Sequence, residues 1–336
     1  MRNLVVLMQA ETQEDAMIEL SLIRPGPASS GMKDAYIRRR RGEEETPHIH
    51  PLLDPLFAAT HGVMLYQEDT LRTAAAIAGF DLAQADLLRR AFSKKRTPED
   101  LPQMERAFRE GARDRGVSAS VIEHVWASIA QFSAYAYNKA HAATYSRISW
   151  QGLYLKARYP AEYLASVLRN GAGFYARRVY VEEARRLGAK IDLPCVNRSD
   201  VGPRGARGAL RLGLDQVKGL RQGTPRQLVR IRDAEGPYVS PTDLLLRTTL
   251  EKHETERLTL AGALDVFDRP RGELLWILEL DFERYLRARQ ENRSRSALFG
   301  PTAMLPPQRT IPVPATYTPE RLLEMEVETL GLTASF

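Results

Sequence analysis

Residues 79–92 read Gly79-Phe80-Asp81-Leu82-Ala83-Gln84-Ala85-Asp86-Leu87-Leu88-Arg89-Arg90-Ala91-Phe92. Leu82, Ala85, Leu88 and Phe92 recur at spacings of three and four, which predicts an amphipathic helix with one apolar stripe. The same pattern continues on either side. Pro98-Glu99-Asp100 opens a second helix through Met104 and Phe108 that Gly116 stops, and a third runs from about Ser120 through Val125 and Ile129. Asn138 is placed to cap a fourth helix, on which Ile148, Gly152, Leu155 and Tyr159 share a face until Pro160 forces an end. Pro160 then begins a short helix that closes at Asn170-Gly171. The chain is predicted to be mostly α.

Beyond Gly173 the composition changes. Residues 194–208 are rich in Pro, Gly, Arg and Ser and read as a boundary or an exposed connection. Leu210, Leu212 and Leu214 alternate like a short strand. Thr224-Pro225 and Ser240-Pro241 each pair an N-cap with a first-position proline. Leu274, Leu278, Phe282, Tyr285 and Leu286 return to helical spacing. Residues 291–318 are polar and proline-rich and read as a linker, and a last amphipathic helix begins near Pro319.

Lys and Arg outnumber Asp and Glu by 48 to 42, a net charge of +6. That excess permits a polyanionic partner without establishing one. Cys195 is the single cysteine, so an intramolecular disulfide and a multi-cysteine metal site are both excluded, and the expected compartment is cytoplasmic. No apolar run approaches the roughly 18–20 residues that span a bilayer, so no membrane partner is expected. His48-Ile49-His50 offers two imidazoles, but no carboxylate spacing completes a site, and no metal is assigned to this chain.

Three stretches carry candidate chemistry. From Arg89 to Arg115 there are nine Lys or Arg against five Asp or Glu. If the helix continues, Arg90 and Lys94 lie one turn apart, where a fork and a point charge can clamp a phosphate; the plainer alternative is a solvated basic helix end. Tyr135, Asn138, Lys139 and His141 combine a stacking ring, an amide, an ammonium and an imidazole just before a helix start. That suits a nucleotide equally well as a packed helix entry. Lys218-Gly219-Leu220 and Gly262-Ala263 mark two glycine turns that can point backbone N–H groups at phosphates without reading bases.

Taken together these words resemble the C-family replicative polymerases of bacteria, the DNA polymerase III alpha type. Ile23 through Pro27, Gly62 through Glu68, Ala85 through Ala91 with Lys94-Lys95, Tyr135 with Asn138-Lys139 and His141, and Tyr154 through Glu162 occur in that family's order over about residues 12–175. Gly173-Phe174-Tyr175 and Glu182 through Arg186 are closer to its error-prone branch. The resemblance implies polymerase fingers followed by a helix-hairpin-helix DNA-binding region. The expected boundaries are a fingers-like domain 1–178, a connection 179–208, the hairpin region 209–290, a linker 291–318 and the start of a further domain 319–336.

The resemblance also implies roles. Arg89 and Arg90 face the triphosphate of an incoming dNTP, with Tyr135, Asn138, Lys139 and His141 beside that pocket, and Lys94 joins the nucleotide-binding set on the charge pattern above. Lys218, Gly219, Leu220, Gly262 and Ala263 hold primer–template DNA, and Leu298-Phe299 is placed like a sliding-clamp peptide, with Arg295 where glutamine is usual. Ala134 and Ala136 stand where the family has glycine, Ala140 where it has serine, and Arg221 replaces the first hairpin's second glycine. Two-metal nucleotidyl transfer needs palm carboxylates around Mg²⁺, and no Asp-x-Asp occurs in this sequence. No catalytic residue is therefore assigned, and activity is expected only with a palm-bearing polymerase chain. A non-catalytic DNA-binding accessory protein, or an inactive truncated polymerase, is the alternative.

Overall fold

A computed structural model of the chain describes residues 2–23, 31–93, 100–133, 137–171, 173–277, 279, 282, 283, 286, 287 and 316–335. They form two compact units, Met1–Leu153 and Tyr154–Phe336. Among the expected site residues, Lys94, Tyr135, Leu298 and Phe299 lie outside the described residues, as does the linker before residue 316.

The first unit is built from α1 (Arg2–Met8), α2 (Gln13–Leu22), α3 (Met32–Arg40), α4 (Asp54–Phe57), α5 (Gln67–Ala78), α6 (Leu82–Ser93), α7 (Asp100–Asp114), α8 (Ala119–Ser133) and the greater part of α9 (Lys139–Arg158). On α6 the expected stripe buries Ala85 and Leu88 completely. Leu82 departs from it at 80% exposed. Its turn is held in solvent by reciprocal bonds, the Asp81 N–H to Gln84 Oε1 at 3.1 Å and the Gln84 N–H to Asp81 Oδ1 at 2.8 Å. Phe108 of α7 meets Phe80 edge-on at 6.1 Å, and Trp126 of α8 lies against Phe92 and Phe108, each at 5.4 Å. Gly111 lets α7 come close to the end of α5, since a Cβ there would stand 2.2 Å from the Ala78 carbonyl oxygen.

A second apolar cluster gathers Leu4, Met8, Ile18, Leu22, Tyr36, Leu65 and Tyr66. Around it the basic run Arg38–Arg41 is absorbed into the fold. Arg38 and Arg39 both donate to Glu44, at 2.8 Å each. Arg40 pairs with the buried Asp15, and Arg41 donates to the Leu7 carbonyl at 3.0 Å. Burial would raise the Asp15 carboxyl, but Arg40 and the Glu11 and Thr12 N–H groups hold it well below the usual carboxylate range.

In the second unit α10 (Pro160–Arg169) lies on a three-stranded sheet of order β1-β3-β2. Strand β1 (Lys190–Asp192) runs parallel to β3 (Ala209–Arg211), and β2 (Arg204–Ala206) runs antiparallel to it, with Leu210 facing Ile191 and Gly205. Gly205 is demanded by this contact, because a Cβ would fall 2.4 Å from the Ala161 backbone. Residues 179–208 are therefore part of the unit and not a spacer: they supply β1, β2 and most of α11 (Arg177–Arg186), and Val181, Ala184 and Val196 are fully buried. Leu210, Leu212 and Leu214 all reach that core, although the strand itself ends at Arg211.

Helices α12 (Thr224–Glu235), α13 (Pro241–Arg247), α14 (Lys252–Leu260) and α15 (Pro319–Leu330) also belong to the unit, and residues 271–277 are helical as well. Ser240 caps α13 as expected, accepting the Asp243 N–H at 3.0 Å. Thr224 does not cap α12; Gly223 holds that position, and the Thr224 hydroxyl donates to Glu254 at 2.5 Å. Residues 319–335 join this core through Leu330, Leu332 and Ala334. Buried Glu326 accepts the Ala334 N–H at 2.7 Å. Among the described residues no helix is long and apolar enough to cross a membrane.

Candidate nucleic-acid interface

In the first unit the expected nucleotide residues fall into two sets held by different carboxylates. Asp86 takes two bonds from Arg89, at 2.9 and 3.0 Å, and one ion pair from Arg90 at 2.6 Å. The Arg89 bonds first, with Arg90 adding to them, hold the Asp86 carboxyl below its ordinary range. Asp86 thus fixes two guanidinium groups at the end of α6 while Arg90 stays 57% exposed. Helix α6 is described as far as Ser93, and Lys94, expected one turn from Arg90, lies outside the described residues.

The second set surrounds the start of α9. Asn138 Oδ1 accepts the His141 N–H at 2.8 Å, which is the predicted cap. The anion at this helix start is Glu68: its carboxylate accepts the Lys139 N–H at 3.0 Å and the Asn138 amide at 3.2 Å. The helix end is already neutralised by a side chain of the protein, so a phosphate here would compete with Glu68. Lys139 Nζ lies 5.1 Å over the Tyr66 ring, and His141 packs on Tyr137 and Tyr145 at 5.4 and 4.5 Å. The Gly62–Glu68 word positions all of this, because Tyr66 bridges to Tyr137 and Asp69 accepts the Leu65 and Tyr66 N–H groups at 2.9 Å. Glu68 is not among the residues expected at the site. Its sequence signals are its place at the end of the Gly62–Glu68 word and a carboxylate in the first turn of α5.

In the second unit the two hairpins differ. Lys218 and Gly219 are exposed, Leu220 is half-buried, and Gly219 takes φ +90°. The Lys218 N–H is engaged with the Thr329 carbonyl at 2.8 Å, and its ammonium lies by Gly331, where an added Cβ would stand 2.9 Å from Nζ, while the residue as a whole stays exposed. Gly262 and Ala263 are buried, and their N–H groups bond the Thr259 and Leu258 carbonyls at 3.0 and 2.9 Å. Arg271 closes this second turn with a fork on Asp265, at 2.9 and 2.6 Å, plus a bond to the Leu260 carbonyl.

Arg221 explains how the first hairpin does without its second glycine. Its N–H and guanidinium bond Glu254, at 2.9, 3.1 and 2.7 Å, and its Nη2 reaches the Thr249 carbonyl at 2.8 Å. Burial would raise Glu254, but the Arg221 and Thr224 bonds more than offset it and leave its pKa at about 2. Beside this lock opens a cleft of about 500 Å³ that Arg221, Arg226 and Arg230 line. Arg226 and Arg230, one turn apart on α12 and both exposed, make a cationic ridge that the hairpin glycines did not signal.

Among the described residues no three His, Cys, Asp or Glu side chains converge as a metal site. His48 Nδ1 meets Asp54 Oδ2 at 3.2 Å, and His50 Nδ1 accepts the Leu52 N–H. Two imidazoles with one nearby carboxylate do not supply the set of oxygen ligands that Mg²⁺ takes.

Paired arginines on one helix end in the first unit, and glycine turns before α12 and after α14 in the second, accord with a fingers and helix-hairpin-helix architecture. A family model for the bacterial DNA polymerase III alpha subunit finger domain matches residues 1–116, and one for the helix-hairpin-helix motif matches residues 188–274. The chain is 35% identical to an error-prone DNA polymerase of Corynebacterium efficiens, over 80% of this chain and 25% of that protein. It is 32% identical to DNA polymerase III subunit alpha of Haemophilus influenzae, over 100% of this chain and 30% of that protein. With an error-prone DNA polymerase of Mycobacterium bovis the identity is 36%, over 78% of this chain and 24% of that one. The chain belongs to the bacterial DNA polymerase III alpha family. It spans 24–30% of the length of these relatives.

Proposed function

We propose that the chain serves in the cytoplasm as the fingers and duplex-holding part of a DNA-directed DNA polymerase, in replication or damage-tolerant synthesis. Nucleotidyl transfer takes place on Mg²⁺-binding palm carboxylates of a palm-bearing polymerase chain, and Leu298-Phe299 engages a sliding clamp. The observation that carries this reading is the exposed Lys218-Gly219 turn beside the Arg226 and Arg230 ridge, in a chain that matches both family models. Such a surface neutralises phosphates and releases counterions without reading sequence.

Binding to a primer–template duplex is expected to be independent of sequence and steeply dependent on salt. Fluorescence anisotropy between about 50 and 200 mM salt measures it. Lys218→Ala should lower the log–log salt slope by about 1, the loss of one phosphate contact. An unchanged slope, or affinity indifferent to salt, would remove the hairpin from the interface.

Arg89 and Arg90 are assigned to the incoming triphosphate. Arg90→Ala should raise the dNTP KM in a reaction reconstituted with a palm-bearing chain. Its melting temperature should hardly move, because an exposed i,i+4 pair contributes only about 0.3–0.5 kcal/mol. A large loss of stability with KM unchanged would make the pair structural.

A further inference from the structure

We propose that the turn Gly173-Phe174-Tyr175 is a stacking platform for unpaired bases of single-stranded DNA, next to the duplex-binding hairpin. This rests on the reading of that hairpin as a DNA contact. Phe174 is 95% exposed, the most exposed large apolar side chain of the described residues. Its ring is nevertheless held. It meets the Tyr175 ring edge-on at 5.4 Å, and Tyr175 in turn lies 6.2 Å from Tyr180. The Tyr175 N–H donates to Tyr180 Oη at 3.2 Å. Tyr180 is packed against the core of the second unit, so the stack has a fixed base.

Gly173 is required for this arrangement. Its φ is +131°, and a Cβ would lie 1.7 Å from Tyr180 Oη, so only glycine lets the backbone rest on the phenol. The result is a rigid turn that raises one flat apolar ring into water. A π face of that kind accepts any unpaired base, because stacking does not read hydrogen-bonding edges.

Charge places the strand. Arg177 donates to Gln216 Oε1 at 3.3 Å, which ties the turn to the hairpin two residues before Lys218. Arg178 beside it is exposed and pairs with no carboxylate among the described residues. A phosphodiester running from the hairpin past Arg178 brings its bases to Phe174. Duplex bases already stack on each other and offer no free face, so the platform discriminates single strands.

Phe174→Ala, Phe174→Trp and Lys218→Ala are to be titrated with an oligo-dT of twenty nucleotides and with a twenty-base-pair duplex, folding being checked by circular dichroism. Phe174→Ala is expected to weaken oligo-dT binding about ten-fold, the loss of one stacked base, and to leave duplex affinity unchanged. Phe174→Trp should keep wild-type affinity and show fluorescence quenching on oligo-dT that wild type does not. Oligo-dT affinity unchanged in Phe174→Ala, or no added quenching in Phe174→Trp, overturns the platform whatever the duplex does. A duplex that ignores Lys218→Ala while Phe174→Ala still loses the single strand refutes the hairpin reading alone.

Discussion

Glu254→Gln is expected to cost the second unit about 2–3 kcal/mol at neutral pH, because the buried carboxylate collects charge-assisted bonds that an amide cannot replace. Glu254 is fully buried, and it joins Arg221, Thr224 and the Glu251 N–H at the start of α14. Its pKa falls from 4.5 to about 2 on folding. A depressed carboxylate contributes stability above its unfolded pKa, and that stability is lost as pH falls through the folded value. Wild type should therefore lose stability between about pH 4.5 and 2, and the glutamine variant, which cannot titrate there, should lose less. Urea melts followed by circular dichroism at pH 7, 4 and 3 check this. Wild-type and variant curves that stay parallel down to pH 3 would mean that Glu254 is not held as an ionised, bonded group.

Gly111→Ala is expected to destabilise the first unit by about 3 kcal/mol. The added methyl would stand 2.2 Å from the Ala78 carbonyl oxygen, and that contact is backbone, so no rotamer change relieves it. Helices α5 and α7 must part, which loosens the packing around Phe80 and Phe108 in the way overpacked cores do. Gly116→Ala is the internal comparison. Its φ is +77° with nothing within 4 Å of the new methyl, so only the left-handed strain of roughly 1–2 kcal/mol applies. Equal thermal shifts for the two variants would show that α5 and α7 are not in contact at Gly111.

The helices of the first unit were legible because their apolar residues repeat at one period and their ends carry Gly, Pro or Asn. The sites were less so. Whether Arg89 and Arg90 are free or fixed depends on Asp86 within their own turn, which the sequence did offer. The anion at the start of α9 comes from Glu68, 71 positions before the N–H it accepts. The lock on the first hairpin comes from Glu254, 33 positions after Arg221. No local pattern encodes such partners. The run Arg38–Arg41 shows the same limit from the other side. Such charge density by itself suits solvent or a DNA backbone, and the fold instead directs it to Glu44, Asp15 and the Leu7 carbonyl. In 194–208 the Pro, Gly, Arg and Ser content reads as a connection because Gly205 and its neighbours are suited to close backbone approach.

The aromatic packing of Trp126 gives the chain an optical asymmetry. Of its three tryptophans, Trp126 is 8% exposed between Phe92 and Phe108, while Trp150 and Trp276 are 40% and 52% exposed. Emission from Trp126 lies to the blue of the other two. Opening the first unit therefore moves the spectrum to the red, whereas opening the second, whose Trp276 already faces water, barely moves it. Emission wavelength and far-ultraviolet ellipticity, followed through one thermal scan, thereby separate the melting of two units that a single probe would merge.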